Sequence, residues 1–544
     1  MNLDHVSEKL NELKQGEAVN TVCDPPPIPG TVPPAGMVTP YMVRIEPPLP
    51  PLSLKIREDF SFFGLSGIMY AAFFCFCLYR NLSGITAPLF ALGTLIYFFL
   101  CLKKLEVKLN KDCIFYGTAI MLLGINLCMT DDEFIIFFDY VGICLLLVSG
   151  LLSMFYESNS WGLMQYFSVL ARTLLGSLDK MDRAFSDMQV WNKKRHERKK
   201  ENRNIRYIVY GVLIGLPIVV VVSLLLSSAD MVFGHMFDNI FGNIFNFDSI
   251  ILGSWNFIHI LLIMAAVYLL SYGLLVNLCS DSIKVVGGPE KTAEPLVAIT
   301  INTMLAVIYV IFSVIQILYL FMGNMTLPEQ YTYAAYARQG FFQLLIVCII
   351  NMFLVLICLY KFKENSILKI LLNVISGCTY IMIASSVLRM HMYIEAYDLT
   401  YLRVLVLWTL CLIFFLMGGI VLYIYRKKFP LFKYSMVVVT VLYLALAYAH
   451  PEYLIAACNL DENHIDGNID YNYLNNLSAD AMPAIAEAVE REAGEEFTGK
   501  FERFFDYNHR YHCFNSTIEP DSIREFNFSR NRMRRYLEEE WKYS

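Results

Sequence analysis

Three guanidinium groups stand where a membrane protein seldom places them. Arg338 lies in residues 331–345 (YTYAAYARQGFFQLL), among Tyr331, Tyr333, Tyr336, Phe341 and Phe342. Arg389 and Arg403 frame a second polar stretch, 388–403 (LRMHMYIEAYDLTYLR), with His391, Glu395 and Asp398 between them. A guanidinium offers five donors in a planar fork that matches a carboxylate or a phosphate. Two arrangements fit these residues. In one, the arginines pair with Glu395 and Asp398 and tie helix ends together. In the other, they converge on an anionic ligand, such as a lipid phosphate or a carboxylate, with tyrosines at the rim. Three cations against two carboxylates leave a surplus that keeps the second open. The candidate ligand-binding set is Arg338, Arg389, Arg403, Glu395 and Tyr336. Arg338 is expected to face the bundle near Glu395 or Asp398.

Asp139 is the clearest acid inside an apolar run, and such a residue is a candidate proton relay. It lies close enough to one surface to be wetted. Asn126, His259, Asn302, Gln316 and Asn351 are milder, and interhelical hydrogen bonds account for such amides without a further role. Asp230, His235 and Asp238 match no metal-ligand spacing, and the lone Cys23 cannot build a four-ligand site. HExxH, GxSxG and paired intramembrane aspartates are absent from the sequence. No metal and no cofactor is expected.

The elements that must position these residues are membrane helices. Of 544 residues, 56% are hydrophobic and 17% charged, against about 25% charged in soluble chains. Mean hydropathy is +0.48. The expected fold is all-α: a polytopic transmembrane helix bundle with a small soluble C-terminal module. A spanning helix needs about 20 apolar residues. Segments near 62–79, 84–102, 113–129, 134–155, 207–226, 251–278, 296–322, 339–360, 370–390, 402–425 and 434–450 meet or approach that length, about eleven spans. Most of the fourteen cysteines fall inside these runs, as Cys75, Cys144 and Cys348 do, and read as small core residues.

Lysines and arginines alternate between the gaps. Lys103, Lys104, Lys108 and Lys111 fill the second, the run 193–206 (KKRHERKKENRNIR) closes the fourth, and Arg426, Lys427, Lys428 and Lys433 fill the tenth. The odd gaps are nearly bare. The positive-inside rule then puts the N-terminus in the cytoplasm and the C-terminal tail outside. No apolar h-region stands in the first sixty residues, so no signal peptide is expected. The chain divides into a proline-rich cytoplasmic tail (1–57), N-terminal membrane helices (58–157), a cytoplasmic amphipathic and basic loop (158–206), a core membrane domain (207–450) and an external acidic module (451–544).

In the fourth gap, Leu174, Leu178, Met181, Phe185 and Met188 recur on one helical face, with the basic run directly after them. This predicts a helix on the inner leaflet held by anionic lipid headgroups. The run abuts a span and carries no interleaved aromatics, which argues against nucleic acid. In the external gap, Phe233, Phe237, Phe241 and Phe245 suggest an interfacial helix. From Pro451 onward, 19 Asp and Glu face 10 Lys and Arg. A helix through Glu492 entered at Ser478, an aromatic stretch 501–514 and a last helix within 521–541 are expected there. Cys458 and Cys513 could pair if the module is outside.

Several stretches resemble a family: Ser228–Ala229–Asp230, residues 336–344 (YARQGFFQL), Leu388–Arg389–Met390, residues 393–403 with Tyr397, Leu399 and Thr400, and Tyr473–Leu474 followed by 477–481 (LSADA). Over roughly 200–485 the chain is similar to the bacterial multi-pass membrane proteins grouped as domain of unknown function forty-one seventy-three, with a sister group at forty-one fifty-three. One departure is Asp398, where that pattern has glycine before Leu399–Thr400. The resemblance implies a cell-membrane location and supplies no activity. Three function classes follow, in this order: a membrane scaffold or sensor, a transporter of a small or lipid-like anionic solute, and an intramembrane enzyme. Protein partners are not specified by the sequence.

Overall fold

The computed structural model describes residues 50–156, 163–198, 247–280, 291, 293–318, 340–426, 428–461, 469–492, 495–508 and 523–539. They form helices throughout, with one isolated bridge between Ala293 and Phe362. A short helix, α1 (Pro51–Glu58), leads into α2 (Phe60–Leu78), α3 (Thr86–Leu105), α4 (Asp112–Asn126) and α5 (Glu133–Phe155). Then come α6 (Leu163–Asp179), α7 (Arg183–Arg198) and α8 (Phe247–Cys279). The second half holds α9 (Pro295–Gln316), α10 (Phe341–Lys361), α11 (Ser366–Tyr397), α12 (Tyr401–Tyr425) and α13 (Leu431–Tyr448). The module follows as α14 (Pro451–Asn459), α15 (Met482–Glu492), α16 (Glu502–Asn508) and α17 (Phe528–Glu539), with shorter turns between.

Nine of the described helices are long and apolar enough to cross a membrane. This is a multi-pass membrane protein. The third expected span, α4, has only 15 residues, about 22 Å at 1.5 Å per residue. It nonetheless runs between the two faces. Asp112 at its start meets Lys433 at 2.6 Å, and Asn126 at its end donates to Asp139 at 2.8 Å. The expected span at 207–226 lies outside the described residues, as do the phenylalanine repeat 233–245 and the basic run beyond Arg198. Large apolar side chains such as Ile114, Leu296, Met304 and Ile370 point outward, as suits a surface whose solvent is hydrocarbon.

The helices pack in two groups. One core joins α2, α3, α5, α6 and α8 through Phe63, Cys101, Leu152 and Tyr272, and α4 adds Ile120 and Leu123 beside it. A Cβ on Gly124 would press on Ala91, so that glycine lets α4 lie close against α3. The other core joins α9 to α12 through Cys348, Val355, Ile375 and Leu410. Helix α13 belongs to both: Phe432 stacks on Tyr166 at 3.7 Å in the first, while Leu431 enters the second.

The amphipathic segment of the fourth gap differs from expectation. It breaks at 180–182 into α6 and α7, so the apolar stripe is shared by two helices. Leu174, Leu178, Phe185 and Met188 are exposed, while Tyr166, Val169 and Thr173 on the other side of α6 are buried in the bundle.

Loops at the two ends sort as the charges do. At the basic face, Lys55 meets Glu106 at 3.0 Å, Lys363 meets Glu294 at 2.8 Å, and Ser53 donates to the Cys279 carbonyl. At the opposite face sits the C-terminal module. Its own core gathers Ile455, Leu474, Ile485, Phe501, Phe504, Phe505 and Met533. The expected helix ends at Glu492, as read from the sequence, and the last helix is α17. Cys458 is a free thiol; Cys513 lies outside the described residues.

The α11–α12 turn is made at Asp398, with φ +65° and ψ 172°. That conformation belongs almost entirely to glycine, and a residue held there is strained by about 1–3 kcal/mol. The turn forms because others hold it. Asn459 brackets Leu399, accepting from its N–H at 2.8 Å and donating to its carbonyl at 2.9 Å. Tyr473 accepts from the Tyr401 N–H at 2.8 Å. Asp398→Gly should therefore raise stability by about 1 kcal/mol, the released strain less the added freedom of the unfolded chain. Thermal unfolding in detergent reads this out; a lowered Tm would contradict it.

Candidate functional site

The arginine-rich end of the second half resolves into separate constellations. Arg389 is buried on α11 and donates from Nη2 to Gln316 Oε1 on α9 at 3.2 Å; the same oxygen accepts from Ser385 Oγ at 2.7 Å. Arg389 Nη1 also lies against Gly340, which sits at φ +110° as the residue before α10. A Cβ there would stand 2.9 Å from that nitrogen. The backbone angle thus requires the glycine of the YARQGFF stretch. Arg403 lies over the Tyr393 ring at 4.3 Å. Its Nη1 donates to the carbonyls of Tyr397 (2.5 Å) and Asp398, clasping the strained turn. Glu395 pairs with His391 at 3.3 Å, one helical turn away and largely exposed. The contacts named here for Arg389, Arg403 and Glu395 go to different groups. A cavity of about 180 Å³ opens beside Arg403, lined by Phe341, Phe342, Met390 and Tyr393. Arg338 and Tyr336 lie outside the described residues.

Asp139 is fully buried on α5. Its two oxygens accept from Asn126 Nδ2 at 2.8 Å and from the Tyr443 hydroxyl at 2.9 Å. This joins α4, α5 and α13 through one carboxyl group.

Among the described residues, the densest polar site is one that the sequence reading did not assemble. It lies where the module meets the ends of α2 to α5, α12 and α13. Asp480 is its hub. The residue is buried, and its carboxylate accepts from Thr130 Oγ1 at 2.5 Å and from the Asp131 N–H at 2.9 Å, with His450 Nδ1 at 3.3 Å. His450 reaches it from a left-handed turn (φ +48°) between α13 and α14. Burial alone would push the Asp480 carboxyl up; hydrogen bonds from His450, Ser529, Thr130 and the Asp131 amide outweigh it and hold it below the ordinary carboxylate range.

Segment 524–530 closes the junction from above. Arg524 donates to the carbonyls of Phe76 (3.2 Å) and Tyr79 (3.0 Å), the unpaired acceptors at the end of α2. Asn527 donates to the carbonyls of Ser83 (2.7 Å) and Thr130 (2.9 Å), while its Oδ1 caps α17 through the N–H groups of Ser529 and Arg530. Arg530 donates to Asp131 at 2.6 Å and to Ser83 Oγ at 2.5 Å. The Phe528 N–H reaches the Cys128 carbonyl at 2.9 Å. Asp132 caps α5 and accepts from the Tyr401 hydroxyl at 2.7 Å, so α12 enters as well. Glu452, partly buried, accepts from the Ser478 N–H at 2.8 Å. Among the described residues no group of three His, Cys, Asp or Glu side chains is placed to hold a metal. The cluster is a hydrogen-bonded seat for the module.

The family profile described as Domain of unknown function (DUF4153) matches residues 117–488. The chain therefore belongs to that family, and the match corrects the group read from the motifs to its sister group. No curated protein and no solved structure matches the chain. The matched span contains Asp131, Asp132, His450, Glu452 and Asp480; segment 524–530 lies beyond it.

The seat should titrate. Burial, with the neighbouring Asp132 charge, pushes the Glu452 carboxyl up to about 8, and burial also raises Asp131 and Asp132. Between the ordinary glutamate value and about pH 8 the folded protein then binds more protons than the unfolded chain, so stability falls as pH rises through that window and is flat above it. Asp480, held low, acts oppositely, and its contribution is lost only as pH falls below the ordinary aspartate range. The detergent-solubilised protein should melt higher at pH 5.5 than at pH 8.5, and Glu452→Gln should remove most of that difference. An unchanged difference in Glu452→Gln would contradict this assignment.

Proposed function

We propose that this chain is a sensor or scaffold of a bacterial cell membrane, with its N-terminus in the cytoplasm and its acidic C-terminal module outside. The observation that carries the reading is segment 524–530, which bonds the module to the loops ending α2 and α4, while Asn459 and Tyr473 bond it to the α11–α12 turn. A module seated on both helix groups transmits any displacement to the membrane core. The lysines and arginines gathered at the opposite end support the orientation. The exposed stripe Leu174, Leu178, Phe185 and Met188 supports contact of α6 and α7 with the inner leaflet and its anionic headgroups.

Two measurements test this. A reporter active only in the cytoplasm, fused after Ser544, should stay dark; activity there would reverse the orientation. Cys128 is buried where Phe528 meets its carbonyl. Arg530→Ala should make it reactive to a membrane-impermeant maleimide and, for a sensor, should also change protease cleavage of the loop 158–206 on the far side. Labelling without a changed cleavage pattern would remove the sensor and leave the scaffold.

A further inference from the structure

Between the two helix groups runs a cleft of about 420 Å³, walled by α5, α6, α10, α12 and α13. Its length follows from the helices that line it. On α13 the wall runs from Leu431 to Tyr443 at steps of three and four, and on α5 from Phe138 to Ser149 in the same way. Twelve steps of 1.5 Å make the lined length of α13 about 18 Å. One leaflet contributes about 15 Å of a hydrocarbon core about 30 Å thick. The lining therefore starts at the basic-face end of α13 and reaches a little past the depth of one leaflet.

The wall chemistry narrows the occupant. The lining is leucine, methionine, valine and aromatic carbon for most of its length. Its main polar groups are turned to the protein: the Tyr443 hydroxyl donates to Asp139, Trp408 Nε1 to the Leu442 carbonyl at 2.9 Å, and Ser149 Oγ to the Leu145 carbonyl. Water needs two to four polar partners to stay in such a space, and an apolar cavity remains dry. A void of this size would forfeit the dispersion contacts of every side chain around it. The flank is open, since Phe167, Phe353 and Val439 at its edges are exposed, and what lies outside is bilayer. We propose that the cleft holds one hydrocarbon chain of a phospholipid from the basic-face leaflet, as a resident lipid that completes the packing between the two helix groups.

The full-length protein tests this by native mass spectrometry after extraction from membranes and a delipidating detergent wash. One phospholipid should stay bound. Ser435→Phe and Val141→Phe, which fill the cleft, should lose it; Ile350→Phe, on an exposed face of α10 outside the lining, should keep it. Where a filling variant fails to fold, Trp408 supplies the second reading. A chain with Trp408 as its sole tryptophan, equilibrated with brominated-chain phospholipid, should stay quenched after dilution into unbrominated lipid. A protein free of phospholipid, equal retention in the filling variants, a retained molecule that is not a phospholipid, or quenching that vanishes on dilution would each overturn the proposal.

Discussion

One buried carboxylate organises the face that carries the module. Asp480 is enclosed by groups from the α4–α5 loop, from the α13–α14 turn and from the start of α17. An ionised side chain in such a place is tolerated only when its lone pairs are met, and removing partners from a buried charge is strongly destabilising. The three segments therefore come together at the hub or leave it exposed. This explains why a module of modest core is not simply tethered to the membrane domain. Its last helix begins at Asn527, whose one amide caps that helix and also binds two loops of the N-terminal helices. The cap and the seat are the same contact, so α17 starts where the membrane domain lets it start.

The second half uses its arginines for a related purpose. Arg403 and Arg389 both answer backbone geometry that the chain would otherwise resist. The first clasps carbonyls at a turn built on Asp398, and the second occupies the space that Gly340 leaves empty. Arg389 joins α9 to α11 through an amide, and Arg403 holds the α11–α12 turn through carbonyls. Asp398 stands in a backbone conformation that favours glycine. The turn holds because Asn459 and Tyr473, both from the module, satisfy the backbone on its far side. The module is thus part of how the membrane domain closes its own turns.

The spans and the sorting of basic loops to one face were legible in the sequence, because both depend on composition summed over about twenty residues. Asp139 was legible for the same reason: an acid in an apolar run has no local explanation. The seat was not. Thr130 and Asp480 are 350 positions apart, and Asn527 and Thr130 are 397. Loop residues that pair over such distances carry no periodicity, and each looks like ordinary surface polarity. The one signal was Asp480 within the LSADA stretch, which stood out as a motif without a partner to explain it. The break between α6 and α7 was hidden because the apolar spacing continues through it.

The module and the loops beneath it form one cooperative unit through Asp480. Hydrogen–deuterium exchange on the full-length protein and on Asp480→Ala measures this directly. Two amides report it: that of Asp131, which donates to Asp480, and that of Phe528, which donates to Cys128. In the substituted protein both should lose protection together, along with the α4–α5 loop and the first turn of α17. Loss of protection confined to Asp131, with Phe528 and the start of α17 still protected, would contradict it.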